Sequence, residues 1–220
     1  TAQVTTDVAI EAGTPVAVAT VPGVITCADP TRTISTAGSS AGPNFQYTWT
    51  TIGGNIVSGA AGPSPIVDAP GDYFLTITNI ANGCTATTSL TVGQDIAAPP
   101  AEAGPDGLLT CTNPVYSLSA NTGLPAGSLQ FSWQTPNGSF TGNPDSAAVN
   151  TNAAGTYTLT VLNPQNGCST TDIAIVTANQ TLPSVQILPP AELTCVQTTA
   201  ALNTGGGSPN FLYQWQTTGG

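Results

Sequence analysis

The 220-residue chain has 11 acidic side chains and a single basic one, Arg32, giving a net charge of −10, and it lacks histidine, lysine and methionine. Nucleic acid and anionic membrane surfaces are held by Lys and Arg, so neither is an expected partner. No apolar run approaches the roughly 20 residues of a membrane span, so no membrane insertion is expected.

Thr1–Glu11 aligns with 85–95 and with 169–179, where Leu90 and Val92, then Ile173 and Ile175, mark a strand. Residues 1–11 are therefore expected to be the last strand of a preceding domain. A short linker follows each of these segments, with proline recurring at Pro15, Pro99 and Pro183. Linkers this short and proline-bearing are stiff, so consecutive domains should form a rod.

Each domain then opens with an extended segment ending in a cysteine, such as Ala101 to Cys111, followed by a turn at Pro30 or Pro114. A β-rich stretch comes next, Thr33-Ile34-Ser35 or Tyr116-Ser117-Leu118, and then a loop rich in glycine and serine. The tryptophan strands Phe45–Trp49, Leu129–Trp133 and Phe211–Trp215 place large apolar residues at alternate positions, which marks one buried face. Weaker strands are expected around Ile56-Val57, Ile66-Val67, Ser139–Thr141 and Ala148-Val149.

The clearest element is Gly155–Asn163, where Tyr157, Leu159 and Val161 alternate with Thr156, Thr158 and Thr160. This is the period-two pattern of a strand with one buried face. Asn166-Gly167 follows as a turn signal, and Cys168 opens the returning strand. The same hairpin occurs 84 residues earlier as Gly71–Asn79 and Asn82-Gly83-Cys84. The cysteines repeat this spacing, at 27, 84, 111, 168 and 195. So long a period describes tandem whole domains rather than a short-repeat solenoid. The expected organisation is a last strand at 1–11, complete domains at 12–96 and 97–180, and the first strands of a further, truncated domain at 181–220.

About seven short strands in each 84 residues, with turn signals throughout and no helical period, describe an antiparallel β-sandwich of the immunoglobulin-like kind. The cysteine spacing offers no close pair for zinc or redox chemistry. It suggests one disulfide per domain, Cys27–Cys84 and Cys111–Cys168, with Cys195 joined to a cysteine outside the chain. Disulfides place a protein in an oxidising, extracytoplasmic space. Such a bond would clamp the first strand to the last.

These motifs resemble a known repeat: Leu-Thr-Cys-Thr-Asn-Pro at 109–114, the aromatic-x-Trp strands, Ala-Gly-Thr-Tyr-Thr-Leu-Thr-Val at 154–161 and Asn-Gly-Cys at 166–168. They are similar to the tandem PKD-like and Ig-like repeats of giant secreted Bacteroidetes surface proteins, including gliding-motility-associated adhesins. The resemblance implies secretion by the type IX route and display as long fibres. The PKD signature Trp-x-Phe-Gly-Asp-Gly is absent, since Trp133 precedes Gln-Thr-Pro-Asn-Gly and Trp49 precedes Thr-Thr-Ile-Gly-Gly. Fold kinship follows from the likeness, and no ligand site is carried over.

No catalytic residue is expected, because most nucleophile–base pairs need a histidine, a lysine or a free cysteine. Asp68 and Asp72 form the nearest carboxylate pair. The second copy replaces them with Asn152 and Thr156, which suits a turn better than glycoside chemistry. No metal site or cofactor is expected either. Calcium needs six to eight oxygens, yet only Glu11, Asp95 and Asn179 coincide at the junctions. Trp49, Trp133 and Trp215 are expected in the core rather than as sugar-stacking platforms. Ser146, in Asp145-Ser146-Ala147, matches an O-glycan acceptor pattern of that phylum, while Asn137 and Asn179 open N-linked sequons.

The expectation is thus a non-catalytic structural and adhesive stalk segment at the cell surface. Its partners would be neighbouring domains of the same chain, other copies in a fibre, or surface glycans. Two alternatives stay open on sequence alone: an accessory region of a large secreted hydrolase, and a subunit of an extracellular filament.

Overall fold

The structure is a computed structural model that describes residues 13–207 and 210–218. The segment 1–11 assigned to a preceding domain lies outside the described residues. Those described are all-β apart from one 3-10 turn at Ala126–Ser128.

In the first half the strands are β1 (Ile25–Thr26), β2 (Arg32–Thr33), β3 (Phe45–Ile52), β4 (Ile56–Ser58), β5 (Ile66–Val67), β6 (Gly71–Asn79), β7 (Thr85–Val92) and β8 (Gln94–Asp95). One sheet has the order β3-β6-β7 and the other β2-β5-β4, while β1 runs parallel to β8. The second half contains β9 (Gly107–Thr110), β10 (Tyr116–Ser119), β11 (Gln130–Gln134), β12 (Ala148–Thr151), β13 (Gly155–Leu162) and β14 (Ser169–Asn179). Its sheets are β11-β13-β14-β9 and β10-β12. Ser139–Thr141 forms no strand. There the Thr141 amide donates a single bond to the Asn150 carbonyl, 2.8 Å away, and no ladder develops.

The alternating residues of the two long hairpins build the cores. Tyr73, Leu75 and Ile77 on β6 are fully buried with Trp49, Ile34 and Val67. Tyr157, Leu159 and Val161 on β13 are buried with Trp133, Leu118 and Val149. The two clusters share no residue, so each sandwich has its own core. Trp49 lies opposite Leu75, and Trp133 opposite Leu159, at equivalent places in the two ladders. The indole N–H groups are also matched, donating to the carbonyls of Gly62 (3.1 Å) and Ser146 (3.2 Å).

Each core tyrosine turns its hydroxyl back on the chain four residues upstream. Tyr73 donates to Ala69 O at 2.6 Å and Tyr157 to Ala153 O at 2.8 Å, a tyrosine corner in both sandwiches. Thr151 shares the Tyr157 hydroxyl as a further buried partner. Gly54 and Gly138 sit against these hydroxyls with no room for a side chain, because a Cβ on either would overlap the tyrosine ring.

Beyond residue 180 a single ladder forms among the described residues, between β15 (Gln186–Ile187) and β16 (Thr204–Gly205). Trp215, expected in a core, is 46% exposed and lies in no strand. The strands of Trp49 and Trp133 are paired with β6 and β13, and no described strand plays that part for Trp215.

Candidate functional site

The disulfide is the principal departure from expectation. Cys27 is bonded to Cys168, 141 residues away, and not to Cys84. Cys111 is likewise unpaired with Cys168, and Cys84, Cys111 and Cys195 carry free thiols. The cause is the direction of the first strand. β1 pairs parallel to β8, with Thr26 beside Asp95, so Cys27 emerges at the far end of the last strand. Cys84 precedes the near end of that strand. At about 3.3 Å per residue, the run from Thr85 to Asp95 separates the two cysteines by roughly 30 Å. No disulfide can bridge that gap.

Cys27 instead faces the second sandwich. The parallel pairing of β9 with β14 repeats the arrangement there, placing Thr110 beside Asn179 and leaving Cys111 exposed at the distal pole. Each sandwich therefore carries its first cysteine at the distal pole and its second at the proximal one. Where the poles meet, one distal and one proximal cysteine are joined.

Asn166 organises the meeting point. It is 1% exposed, and its amide nitrogen donates to Asp95 Oδ1 (2.9 Å) and to the Ala97 carbonyl (3.0 Å). Its side-chain oxygen accepts from the Cys168 amide (2.9 Å), and its backbone carbonyl accepts from the Ala28 amide (3.0 Å). One buried side chain thus ties together the linker, the cysteine turn and both sandwiches. In the sequence, Asn-Gly reads only as a hairpin signal. In fact the glycine alone is left-handed, at φ 72° for Gly167 and 74° for Gly83, and no other residue type among those described has positive φ.

Gly167 also touches the neighbouring sandwich. A Cβ there would lie 2.5 Å from Ala28 Cβ and 2.8 Å from its amide nitrogen, whereas one on Gly83 would meet nothing within 4 Å among the described residues. Both positions carry the left-handed penalty of about 1–2 kcal/mol on substitution. Gly167→Ala is therefore expected to be clearly more destabilising than Gly83→Ala, and to accelerate reduction of the Cys27–Cys168 bond. Comparing denaturation midpoints and thiol-exchange rates of the two variants checks this. Equal effects would mean that the Ala28 contact carries no weight.

The remaining candidates are engaged in local structure. Asp68 accepts from Asn55 Nδ2 at 2.7 Å, and Ser139 and Asn152 repeat that link in the second sandwich. Asp72 accepts from Thr91 Oγ1 at 2.6 Å. The two carboxylates thus serve separate neighbours. Asp106 and Asp172 receive the backbone amides of Ile175 (2.8 Å) and Ala103 (2.7 Å). Arg32 donates to Val24 O and pairs with Asp29 at 3.4 Å. No group of three or more His, Cys, Asp or Glu that could hold a metal occurs among the described residues.

Ser146 is half-buried. Its hydroxyl donates to the Asn143 carbonyl at 2.7 Å and also contacts the Ala148 carbonyl, while its own carbonyl receives the Trp133 indole. A glycan on that oxygen would displace the turn that holds the tryptophan.

No protein-family profile matches the chain, and no curated protein matches it. Among solved structures it is similar to tandem Ig-like and PKD domains. The PKD domain of the KIAA 1837 protein shares 22% identity over 42% of this chain and 98% of its own, with a TM-score of 0.31. The titin I-band fragment I67–I69 shares 9% identity over 93% of this chain and 80% of its own, with a TM-score of 0.35. The three N-terminal domains of the bacteriophage RB49 highly immunogenic outer capsid protein share 14% over 90% and 71%, with a TM-score of 0.38. None of these likenesses speaks to what the chain binds.

Proposed function

We propose that the chain is a non-catalytic stalk segment of a long extracellular surface protein or fibre, built from sandwiches at 12–96 and 97–180 that repeat every 84 residues. The observation that carries this reading is the junction, where a covalent bond and the buried Asn166 fix one sandwich on the next. Most linked domains are left free to move relative to each other, so a cross-linked junction is a feature suited to reach and stiffness. An observed disulfide favours an oxidising compartment and hence secretion to the cell surface. Other copies of the chain, or surface glycans at a distant tip, are the partners such a stalk would serve.

Small-angle scattering on the full chain tests the reading. The oxidised protein is expected to give a single elongated particle, and reduction is expected to broaden the distance distribution as the junction loosens. If the oxidised protein already scatters as a flexible pair of beads, the stalk reading fails.

A further inference from the structure

We propose that Cys84 and Cys111 are the two open halves of the same junction bond. Each would form a disulfide with the matching cysteine of a further sandwich of this kind. Both free half-sites are already shaped as their bonded counterparts are.

The distal half is a tight turn. Around bonded Cys27, the Thr26 amide donates to the Asp29 carbonyl and the Asp29 amide to Thr26 Oγ1, each at 3.0 Å. Around free Cys111, Thr110 and Asn113 make the same two bonds, each at 3.0 Å. Around free Cys195, Thr194 and Gln197 make them at 2.8 and 3.0 Å. The same two bonds close the turn whether or not its cysteine is joined to a partner.

The proximal half repeats as well. The Cys168 amide donates to Asn166 Oδ1 at 2.9 Å, and the Cys84 amide to Asn82 Oδ1 at 3.0 Å. Asn166 Nδ2 reaches the linker carbonyl of Ala97, and Asn82 Nδ2 reaches that of Gly13, at the equivalent linker position, over 3.2 Å. The difference lies in the neighbour. Gly167 is packed against Ala28, while the matching face of Gly83 meets nothing among the described residues. Cys168 is 2% exposed, whereas Cys84 is partly open and Cys111 exposed.

The two halves lie at opposite poles, so Cys84 and Cys111 of one chain cannot join each other. Each must take its complement from another sandwich, whether the next repeat of the same polypeptide or a second copy docked head to tail. A head-to-tail contact of this kind joins unlike poles, so it adds copies in series, closing as a ring or growing as a filament according to the rotation between them. In each bond two thiols give up two protons and two electrons to a disulfide oxidant of the glutathione class, which leaves as two thiols.

Two arms separate the sources. In the first, the full chain is held in oxidised glutathione buffer, and its non-reduced peptides are mapped. In the second, residues 97–180 are duplicated in tandem within the full chain, so that a further proximal cysteine follows Cys111. Joining of Cys111 to the added Cys168, with the number of free thiols unchanged from the parent chain, assigns the partner to the next repeat. Intermolecular Cys84–Cys111 bonds in the first arm, abolished by C84S or C111S, assign it to a second copy. The proposal is overturned if both thiols stay alkylatable in both arms, or if Cys84 pairs with Cys84 and Cys111 with Cys111. It rests on the stalk reading for its purpose, yet the two fail separately. Scattering reports on the Cys27–Cys168 junction, and mapping reports on the outer cysteines.

Discussion

Trp133→Ala is expected to lower the stability of the second sandwich by about 3–5 kcal/mol, the range for truncating a buried tryptophan. The indole is 2% exposed, stands opposite Leu159 and contributes to a cluster with Leu118, Val149 and Val161. Its removal leaves a cavity and strips the Ser146 carbonyl of its donor. A domain of this size has about 5–15 kcal/mol in all, so the second sandwich would become marginal. The first should hardly respond, because its cluster shares no residue with the second. Hydrogen exchange with denaturant, resolved by peptide, reads the two separately. A loss below about 1 kcal/mol, or equal loss in both halves, would contradict this account of the cores.

Gly138→Ala is the second large effect, and it arises from crowding rather than loss. The new methyl would sit 2.6 Å from Tyr157 Cζ and 2.8 Å from Thr135 Oγ1. The ring cannot retreat, since Tyr157 is fully buried and its hydroxyl is held by Ala153, Ser139 and Thr151. Overpacking of this kind costs about 1–3 kcal/mol, and a displaced, unsatisfied hydroxyl adds about 1–3 kcal/mol more. Gly54→Ala should reproduce the effect in the first sandwich, where the Cβ would lie 2.5 Å from Tyr73 Cζ and from Thr51 Oγ1. Thermal unfolding of the two variants measures this. A change of under 1 °C in either midpoint would mean that the corner accommodates a methyl.

The hairpins are legible because burial on one face writes itself as period-two alternation. Tyr73-x-Leu75-x-Ile77 and Tyr157-x-Leu159-x-Val161 occupy the core as that pattern requires. The glycines at 54 and 138 carry the same 84-residue offset, yet a glycine in a polar loop has no pattern that reveals a tyrosine hydroxyl above it. The cysteine pairing is beyond the spacing for a related reason. Equal intervals say which cysteines are equivalent, whereas the partner depends on whether the first strand runs with the last or against it. β1 and β8 run together, and that single fact sends Cys27 to the next sandwich. Asn166 is hidden in the sequence because the short dipeptide it belongs to already has a sufficient explanation as a turn. Trp215 shows the opposite case, where a strand-like pattern does not guarantee a covering layer.

The 141-residue span of the Cys27–Cys168 bond changes how the chain would carry load. Tension entering before Cys27 and leaving after Cys168 crosses the sulfur bridge directly, bypassing everything between. That bypassed loop would otherwise release about 500 Å of contour length if both sandwiches were pulled open, at up to roughly 3.6 Å per residue. With the bridge intact it cannot be drawn into the line of force at all. A bond confined to one sandwich would have hidden only that sandwich's interior. Placed across the junction, it turns two domains that could unravel in succession into a tether of nearly fixed length.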